Sequence, residues 1–238
     1  MRAALRLSSR RYSPRAGALL VIAPHADDET LGCGGLIASQ TAEGRPIAVA
    51  YLTDSAGSPP VAGAAETRRL EALAALATLG AGAGRIHFLG LPDGSLDRLS
   101  AETARSAVDR LAGLMKEIRP AEVFAPYRHG GSTEHTAALD LTVAAVAASG
   151  GGCLMEYPVW AWWNPLRLRF RLGLRGRNFR LPLGAWRELK VRALACHRSQ
   201  VAPVPPSRDP ALPPSLALAC CGPSEFFFAS RIPAGQVP

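Results

Sequence analysis

Short apolar runs alternate with longer stretches of helical period along the first two thirds of this chain. Five apolar runs have the length of buried strands: 18–23, 47–52, 85–89, 122–126 and 153–159. Three segments between them have helical spacing and are followed by glycine or proline: 64–79, 101–118 and 134–148. Thr133 is the expected N-cap of the last of these helices. The alternation predicts βαβ units, and therefore an α/β fold with a Rossmann-like, mostly parallel sheet flanked by helices.

The pattern changes after Trp163. Leucine and arginine alternate over 166–172, as in a strand with one apolar and one cationic face, and 173–178 has the composition of a turn. We therefore predict a C-terminal elaboration of β-hairpin and helix. Its parts are a basic hairpin insertion over 166–183, a helix at about 184–196, a proline-rich loop at 202–214 and a last strand at 226–229. We assign residues 1–16 to a basic, flexible N-terminal tail and 17–238 to a single domain.

Composition narrows the class of protein. A chain of 238 residues with 48% hydrophobic residues can bury one substantial core. No apolar run approaches the roughly 20 residues that span a bilayer, so we expect a soluble, cytoplasmic protein. The five cysteines include no CxxC pair, which argues against a disulfide framework and against a zinc ribbon.

The net charge of +8 is concentrated in two segments. Five arginines lie within residues 1–15, and six lie between Arg167 and Arg180. Clustering of this kind favours a local anionic partner, such as an anionic substrate group or a membrane surface at 166–180. No nucleic-acid-binding motif accompanies the charge, so no nucleic acid is expected. The alternative is two solvated basic segments, with arginine use reflecting coding bias, since the chain has only two lysines, Lys116 and Lys190.

The densest polar chemistry follows the first predicted strand, in the segment His25-Ala26-Asp27-Asp28-Glu29. Imidazole and carboxylate groups are good zinc ligands, and a catalytic zinc site has three protein ligands and water. His25 and Asp28 are three residues apart on a turn that enters a helix, so they can converge on one ion. Asp27 is then left beside the metal as a proton acceptor for an attacking water. The alternative is a surface acidic turn that caps a helix.

A third ligand must come from elsewhere in the chain. His87 lies in an apolar strand and is expected to be a core residue. His135, at a predicted helix start beyond the fourth strand, lies at the carboxyl edge of the sheet, where ligands of open α/β folds collect. We therefore expect His135 as the ligand. His129, six residues upstream, is either an oxyanion donor or a spectator.

Pro24-His25-Ala26-Asp27-Asp28-Glu29-Thr30-Leu31-Gly32-Cys33-Gly34-Gly35 resembles the signature of the LmbE-like, or PIG-L, zinc de-N-acetylases. Further similarities occur in the family's order: Leu52–Asp54, Arg68–Glu71, Phe88–Gly94 and Cys196–Gln200. Together they cover roughly residues 17–200. The resemblance implies a Zn²⁺-dependent hydrolase that removes an acetyl group from an amino sugar.

The resemblance also implies residue roles. His25 and Asp28 bind zinc, Asp27 is the general base, and Arg68 and Asp93 contact the substrate sugar. The family's second motif, His-Pro-Asp-His, is Ser132-Thr133-Glu134-His135 here. The ligand His135 is therefore kept, but Ser132 replaces a histidine that helps to stabilise the tetrahedral intermediate. His129 or Tyr127 is the expected substitute.

Two other functions remain open on the sequence. The glycine run 32–35 and Asp54 resemble parts of a nucleotide-binding loop, as in an S-adenosylmethionine-dependent methyltransferase, although HADDET intervenes between strand and glycines. A catalytically silent relative that binds a metal or a glycan is the other alternative. The expected substrate is an N-acetylated amino sugar on a glycan, a glycolipid or a thiol precursor. The aromatic segment from Tyr157 to Trp163 offers faces for sugar stacking or for core packing.

Overall fold

The structure is a computed structural model that describes residues 1–58, 60–174 and 176–230. It has eight strands: β1 Arg10–Arg11, β2 Leu19–Ala23, β3 Ile47–Thr53, β4 Ile86–Leu91, β5 Glu122–Pro126, β6 Leu154–Tyr157, β7 Asn178–Pro182 and β8 Ser224–Ala229. It has nine α-helices in the described residues: α1 Arg2–Ser8, α2 Asp28–Ala42, α3 Ala64–Thr78, α4 Ala101–Ile118, α5 Thr133–Ala148, α6 Arg169–Leu172, α7 Trp186–Leu194, α8 Arg198–Val201 and α9 Pro214–Cys220.

The strands form one sheet in the order β1-β7-β8-β6-β5-β2-β3-β4. All pairs are parallel except the two made by β8, which lies antiparallel between β7 and β6. Two apolar clusters cover the faces of the sheet, and helices pack over both. The predicted α/β class with a mostly parallel sheet is confirmed.

The prediction of a flexible tail over 1–16 is wrong. Residues 2–8 form α1, and β1 pairs with β7 at the edge of the sheet. Leu5 is fully buried, and the buried Tyr12 hydroxyl donates to Glu122 Oε2 at 2.6 Å. The arginines of this segment lie around a few apolar anchors, so its composition alone is misleading. The predicted end of the domain, 231–238, lies outside the described residues.

The predicted hairpin over 166–183 is also wrong in its first arm. Residues 165–168 form a 3-10 turn that continues into α6, and β7 pairs with β8 and β1 instead. The alternating sequence is also compatible with a helix. Leu168 lies three residues before Arg171 and four before Leu172, so the three side chains share one helical face, which points inward. Burial of Arg171 is compensated by a bond to Asn178 Oδ1 at 3.2 Å and by the Phe228 ring. Arg175 lies outside the described residues.

Two smaller expectations also need correction. Ser132, not Thr133, is the N-cap of α5, because its hydroxyl accepts from the His135 amide at 3.2 Å. His87 is half-buried and not a core residue, since β4 is the outermost strand of the sheet.

The glycine run of α2 serves close packing. A Cβ at Gly32 would lie 2.1 Å from Tyr157 Cδ2, and one at Gly35 would lie 2.2 Å from Leu183 Cδ2. These glycines are inside a helix, whereas a nucleotide-binding loop precedes one. The structure therefore gives the run a packing role and offers no support for a methyltransferase.

A buried ion pair fixes the same helix. Lys190 Nζ donates to Glu225 Oε1 at 2.7 Å and to the Leu31 carbonyl at 2.8 Å. The two oxygens of Glu225 also accept from the amides of Gly35 and Leu36, at 2.7 and 2.9 Å. The middle of α2 is therefore held by β8 and α7 through charged hydrogen bonds.

Candidate metal centre and active site

The candidate site lies where four neighbouring strands end. The order β5-β2-β3-β4 brings the carboxyl ends of these parallel strands to one edge. His25 to Asp28 follow β2, Asp93 follows β4, and Ser132 to His135 follow β5 at the start of α5. The sheet thus brings together residues that are more than 100 positions apart in sequence.

His25, Asp28 and His135 converge as predicted from the sequence. Asp28 Oδ2 lies 3.2 Å from His25 Nδ1 and 3.2 Å from His135 Nε2. Asp28 and His135 are buried, and His135 Nε2 has no hydrogen-bond partner within the described residues. Two imidazole nitrogens and a carboxylate oxygen within reach of one another, one of them an unused buried nitrogen, fit a catalytic Zn²⁺.

The other nitrogen of His25 faces two further carboxylates. His25 Nε2 lies 3.0 Å from Asp93 Oδ1 and 3.0 Å from Glu134 Oε2. Each carboxylate is itself held by a backbone hydrogen bond: Asp93 accepts from the Gly57 amide, and Glu134 accepts from the Leu96 amide. Carboxylates in this position orient an imidazole and raise its basicity. Sequence reasoning missed Glu134, although its position beside His135 was a usable signal.

Asp27 has an unusual backbone. Its φ of 142° lies in the left-handed region, which costs a non-glycine residue about 1–3 kcal/mol. The Asp27 amide donates to Glu29 Oε2 at 3.0 Å, and Arg68 Nη2 lies 3.5 Å from Asp27 Oδ2. Arg68 also donates to the carbonyls of Ala26 and Ser58. These contacts keep the strained turn in place and direct the Asp27 carboxylate to the cavity.

The two adjacent aspartates have opposite pKa shifts. Burial raises the pKa of Asp27 to about 6, with Arg68 opposing the rise and Asp28 adding to it. Burial also acts to raise the pKa of Asp28, but the imidazoles of His135 and His25 lower it well below its usual range. Asp28 is therefore ionised, whereas burial favours the protonated form of Asp27.

A cavity of about 380 Å³ opens onto these residues, which is within the range of small-molecule sites. Its polar wall comprises His25, Asp27, Asp28, Ser58, Arg68, Asp93, Ser132, Glu134 and Gln200, and its apolar wall Leu31, Val159, Trp160, Ala211 and Leu212. Gln200, which sequence reasoning left without a role, donates to the Ser58 carbonyl at 3.0 Å. Of the aromatic residues considered for sugar stacking, Trp160 lines the cavity. Tyr157 and Trp162 are buried, and Trp163 is exposed.

His129 is not brought to the cavity, contrary to the sequence expectation. It is exposed on a 3-10 turn over 128–130, and its ring packs edge-on against Tyr127 with the centroids 5.6 Å apart. The Tyr127 hydroxyl is buried and has no partner within the described part of the chain. Neither residue lines the cavity, whereas Ser132 does.

Comparison with known families agrees with this geometry. The model of the PIG-L family, described as GlcNAc-PI de-N-acetylase, matches residues 20–146, which is more than half of the chain. The chain belongs to the PIG-L family. The match begins in β2 and ends in α5, so it includes both segments that carry the metal-ligand candidates.

Solved structures share the PIG-L fold over most of the chain. A conserved protein from Thermus thermophilus is 28% identical, with a TM-score of 0.67, and the match covers 92% of this chain and 97% of that protein. The N,N'-diacetylchitobiose deacetylase from Pyrococcus horikoshii is 23% identical, with a TM-score of 0.59 and coverage of 77% and 70%. The 4-carboxy-2-hydroxymuconate hydratase from Pseudomonas putida is 16% identical, with a TM-score of 0.64 and coverage of 93% and 100%. The fold therefore supports more than one reaction, and the side chains of the site must decide which one.

Proposed function

We propose that this chain is a Zn²⁺-dependent hydrolase that removes the acetyl group from the amide nitrogen of an amino sugar. The observation that carries the proposal is Asp28 Oδ2, which lies 3.2 Å from an imidazole nitrogen of both His25 and His135. The family and the chitobiose-deacetylase relative support an N-acetylated sugar as the substrate. A bound Zn²⁺ would polarise the acetamide carbonyl and acidify the attacking water.

Asp27 is the proposed general base and acid. Its carboxylate takes a proton from the attacking water and later gives it to the departing amine nitrogen. Burial raises the pKa of the Asp27 carboxyl, which favours its return of the proton to the amine. The strained φ is consistent with this role, because such outliers persist where the surrounding contacts hold a functional side chain in place.

Ser132 is the proposed oxyanion donor. Its oxygen accepts the His135 amide as the helix cap, which leaves its own O–H proton available to the cavity that it lines. The tetrahedral intermediate carries negative charge on the former carbonyl oxygen, and a fixed donor stabilises that charge. His129 and Tyr127 do not line the cavity, so Ser132 is the better candidate.

The remaining cavity walls are the proposed sugar contacts. Trp160 offers an aromatic face for stacking, and Arg68 and Asp93 offer polar groups toward the sugar hydroxyls. Both polar groups are already hydrogen-bonded to protein, which makes their positions rigid. Rigid polar groups beside an aromatic face favour a cyclic polyol over an extended acyl chain.

Metal analysis combined with acetate release from a panel of N-acetylhexosamine conjugates tests this function. We expect one Zn²⁺ per chain and acetate release by the wild-type protein. Asp27→Asn should lower kcat by about 10²–10⁴-fold while the protein keeps its metal. Asp109→Asn, on an exposed position of α4, is the matched control and should keep full activity.

Three results would count against the proposal. Near-normal activity of Asp27→Asn would remove Asp27 from the chemistry. A protein that binds Zn²⁺ but releases no acetate from any conjugate would be a silent relative. Retention of Zn²⁺ by a His135→Ala variant at wild-type affinity would remove His135 from the ligand set.

A further inference from the structure

Large apolar side chains are exposed together on one part of the surface. Six of the eight exposed large hydrophobic residues in the described chain lie in, or within two residues of, elements that pack in series: α1 on α6, α6 on the turn over 165–168, that turn on the turn over 160–162, and the latter on α9. They are Leu7, Trp163, Leu166, Phe170, Leu174 and Leu218. Leu166 and Phe170 are 67% and 66% exposed, so they are not partly covered core residues. We call this surface the basic apolar face. Several large apolar groups exposed on neighbouring elements indicate an interaction site.

The two chain segments that form most of this surface are rich in arginine and contain no acid. Residues 1–26 and 157–187 contain twelve of the 27 basic residues and no aspartate or glutamate, which leaves 15 basic against all 19 acidic residues elsewhere. Two acids close to this surface, Asp97 and Asp140, line a neighbouring pocket with Arg167. Arg6, Arg10, Arg167 and Arg169 are exposed, and none forms an ion pair within residues 1–58, 60–174 and 176–230. The arginines are therefore free to meet an external anion.

The arginines and the apolar groups are interleaved. The Arg169 guanidinium lies 5.0 Å from the centroid of the Phe170 ring, and Arg167 adjoins Leu166 in the same turn. A polyanion such as a nucleic acid offers the arginines a partner but leaves the exposed leucines in water. An anionic bilayer accepts both, because apolar side chains enter the headgroup boundary while arginines contact lipid phosphates.

We infer that the basic apolar face docks this protein on an anionic lipid bilayer. No helix among the described residues is long and apolar enough to cross a membrane. Both components are needed, since arginine supplies attraction to anionic lipid and the apolar groups supply insertion.

The face borders the mouth of the cavity. The Arg167 guanidinium packs on Gly131, where an added Cβ would lie 2.9 Å from Arg167 Cζ, and Gly131 lines the cavity. Trp160, another lining residue, belongs to a turn over 160–162 that contacts the turn over 165–168. Docking therefore places one rim of the cavity at the level of the lipid headgroups.

Co-sedimentation with large vesicles tests docking without reference to enzyme activity, so it stands or falls independently of the proposed function. We expect binding to vesicles of phosphatidylcholine and phosphatidylglycerol in equal parts, weak binding to phosphatidylcholine alone, and release at high salt. Arg167→Gln with Arg169→Gln should weaken partition roughly thirty-fold. Leu166→Ser with Phe170→Ser should weaken it by more than about tenfold.

Matched controls lie on other surfaces. Arg105→Gln with Arg192→Gln removes two exposed arginines, and Leu70→Ser removes one exposed leucine; both should bind as the wild type does. Circular dichroism and the Tm of every variant confirm folding.

Three outcomes would overturn the inference. The first is vesicle binding that neither double variant reduces. The second is binding to duplex DNA that is as tight as binding to vesicles and is weakened by the arginine variant alone. This result would indicate a nucleic-acid partner. The third is a lipid-independent dimer in light scattering that only the apolar variant dissolves, which assigns the face to a second copy of this chain.

Discussion

Ser132 is proposed to have two separate duties, and a matched pair of variants distinguishes them. Its oxygen caps α5, and its proton is proposed to stabilise the oxyanion. Ser100 has only the first duty: it caps α4 by accepting from the Thr103 amide at 3.1 Å, and it is exposed and does not line the cavity. Alanine at either position therefore removes a comparable cap, but only Ser132→Ala removes a donor from the cavity.

The expected magnitudes differ enough to be measured. Loss of an N-cap costs about 1 kcal/mol of unfolding free energy, so both variants should show a similar fall in stability. Loss of one oxyanion donor lowers kcat by about 10²–10³-fold. Ser132→Ala should show this loss and Ser100→Ala should not. Ser132→Thr keeps the hydroxyl and should recover most of the activity.

The assay is acetate release at saturating and subsaturating substrate, with denaturant unfolding measured on the same preparations. A donor that acts mainly on the intermediate lowers kcat more than it raises KM. If Ser132→Ala and Ser100→Ala lose the same small fraction of kcat, the hydroxyl is only a cap, and the oxyanion must be held by another group.

Three further predictions concern stability and pH. Gly32→Ala should lose about 1–3 kcal/mol of unfolding free energy or more in denaturant titration, because the added Cβ meets Tyr157. Gly113→Ala is the control: it has open space in α4 and should gain up to about 1 kcal/mol. Equal effects of the two variants would contradict the packing argument. Lys190→Met should cost about 3–5 kcal/mol by the same assay, because it leaves a buried carboxylate without its cation, and a loss under about 1 kcal/mol would show that the pair is dispensable. Burial acts to lower the pKa of His197, but the carboxylate of Glu29 more than offsets this and keeps that pKa above 6.5. Burial acts to raise the pKa of Glu29, but His197 more than offsets this and keeps that pKa below 4.5. The ion pair is therefore strongest at pH values between the two pKa values. The loss of unfolding free energy caused by His197→Gln should shrink as the pH rises from about 6 to about 9, because His197 loses its charge in the wild type. A loss that stays constant over this range would contradict the prediction.

The sequence was sufficient for the elements whose local signals agree with their packing. Helix α4 has a serine cap, a buried stripe and a following proline, and both of its bounds are as predicted. Strand β5 is fully buried and also has its predicted bounds. The segment 166–172 was mistaken because its alternation is compatible with a strand. Burial of Arg171 becomes favourable through Asn178, which lies beyond the following turn, and through the ring of Phe228, which is distant in sequence.

The residues of the candidate site also differ in whether local sequence or tertiary packing determines their positions. His25 and Asp28 were accessible to sequence reasoning because their spacing on one turn is a local property. His135 was accessible because the carboxyl edge of the sheet is a topological one. The choice between oxyanion donor and spectator for His129 was not accessible, because the direction of a side chain on a short turn depends on φ and ψ values that sequence does not specify. The contact of Glu134 with His25 depends on how α5 is placed against β2, which is a tertiary property.

The position of Glu225 has a consequence for the order in which the protein is made. All three metal-ligand candidates lie within the first 135 residues, but the carboxylate that holds the middle of α2 is on β8, the last strand of the sheet along the chain. Strand β8 also joins β7 and β1 to the rest of the sheet. A nascent chain thus contains the three candidate residues long before β8 can hold the helix that carries Asp28. We expect these three side chains to reach their final positions only after β8 has joined the sheet.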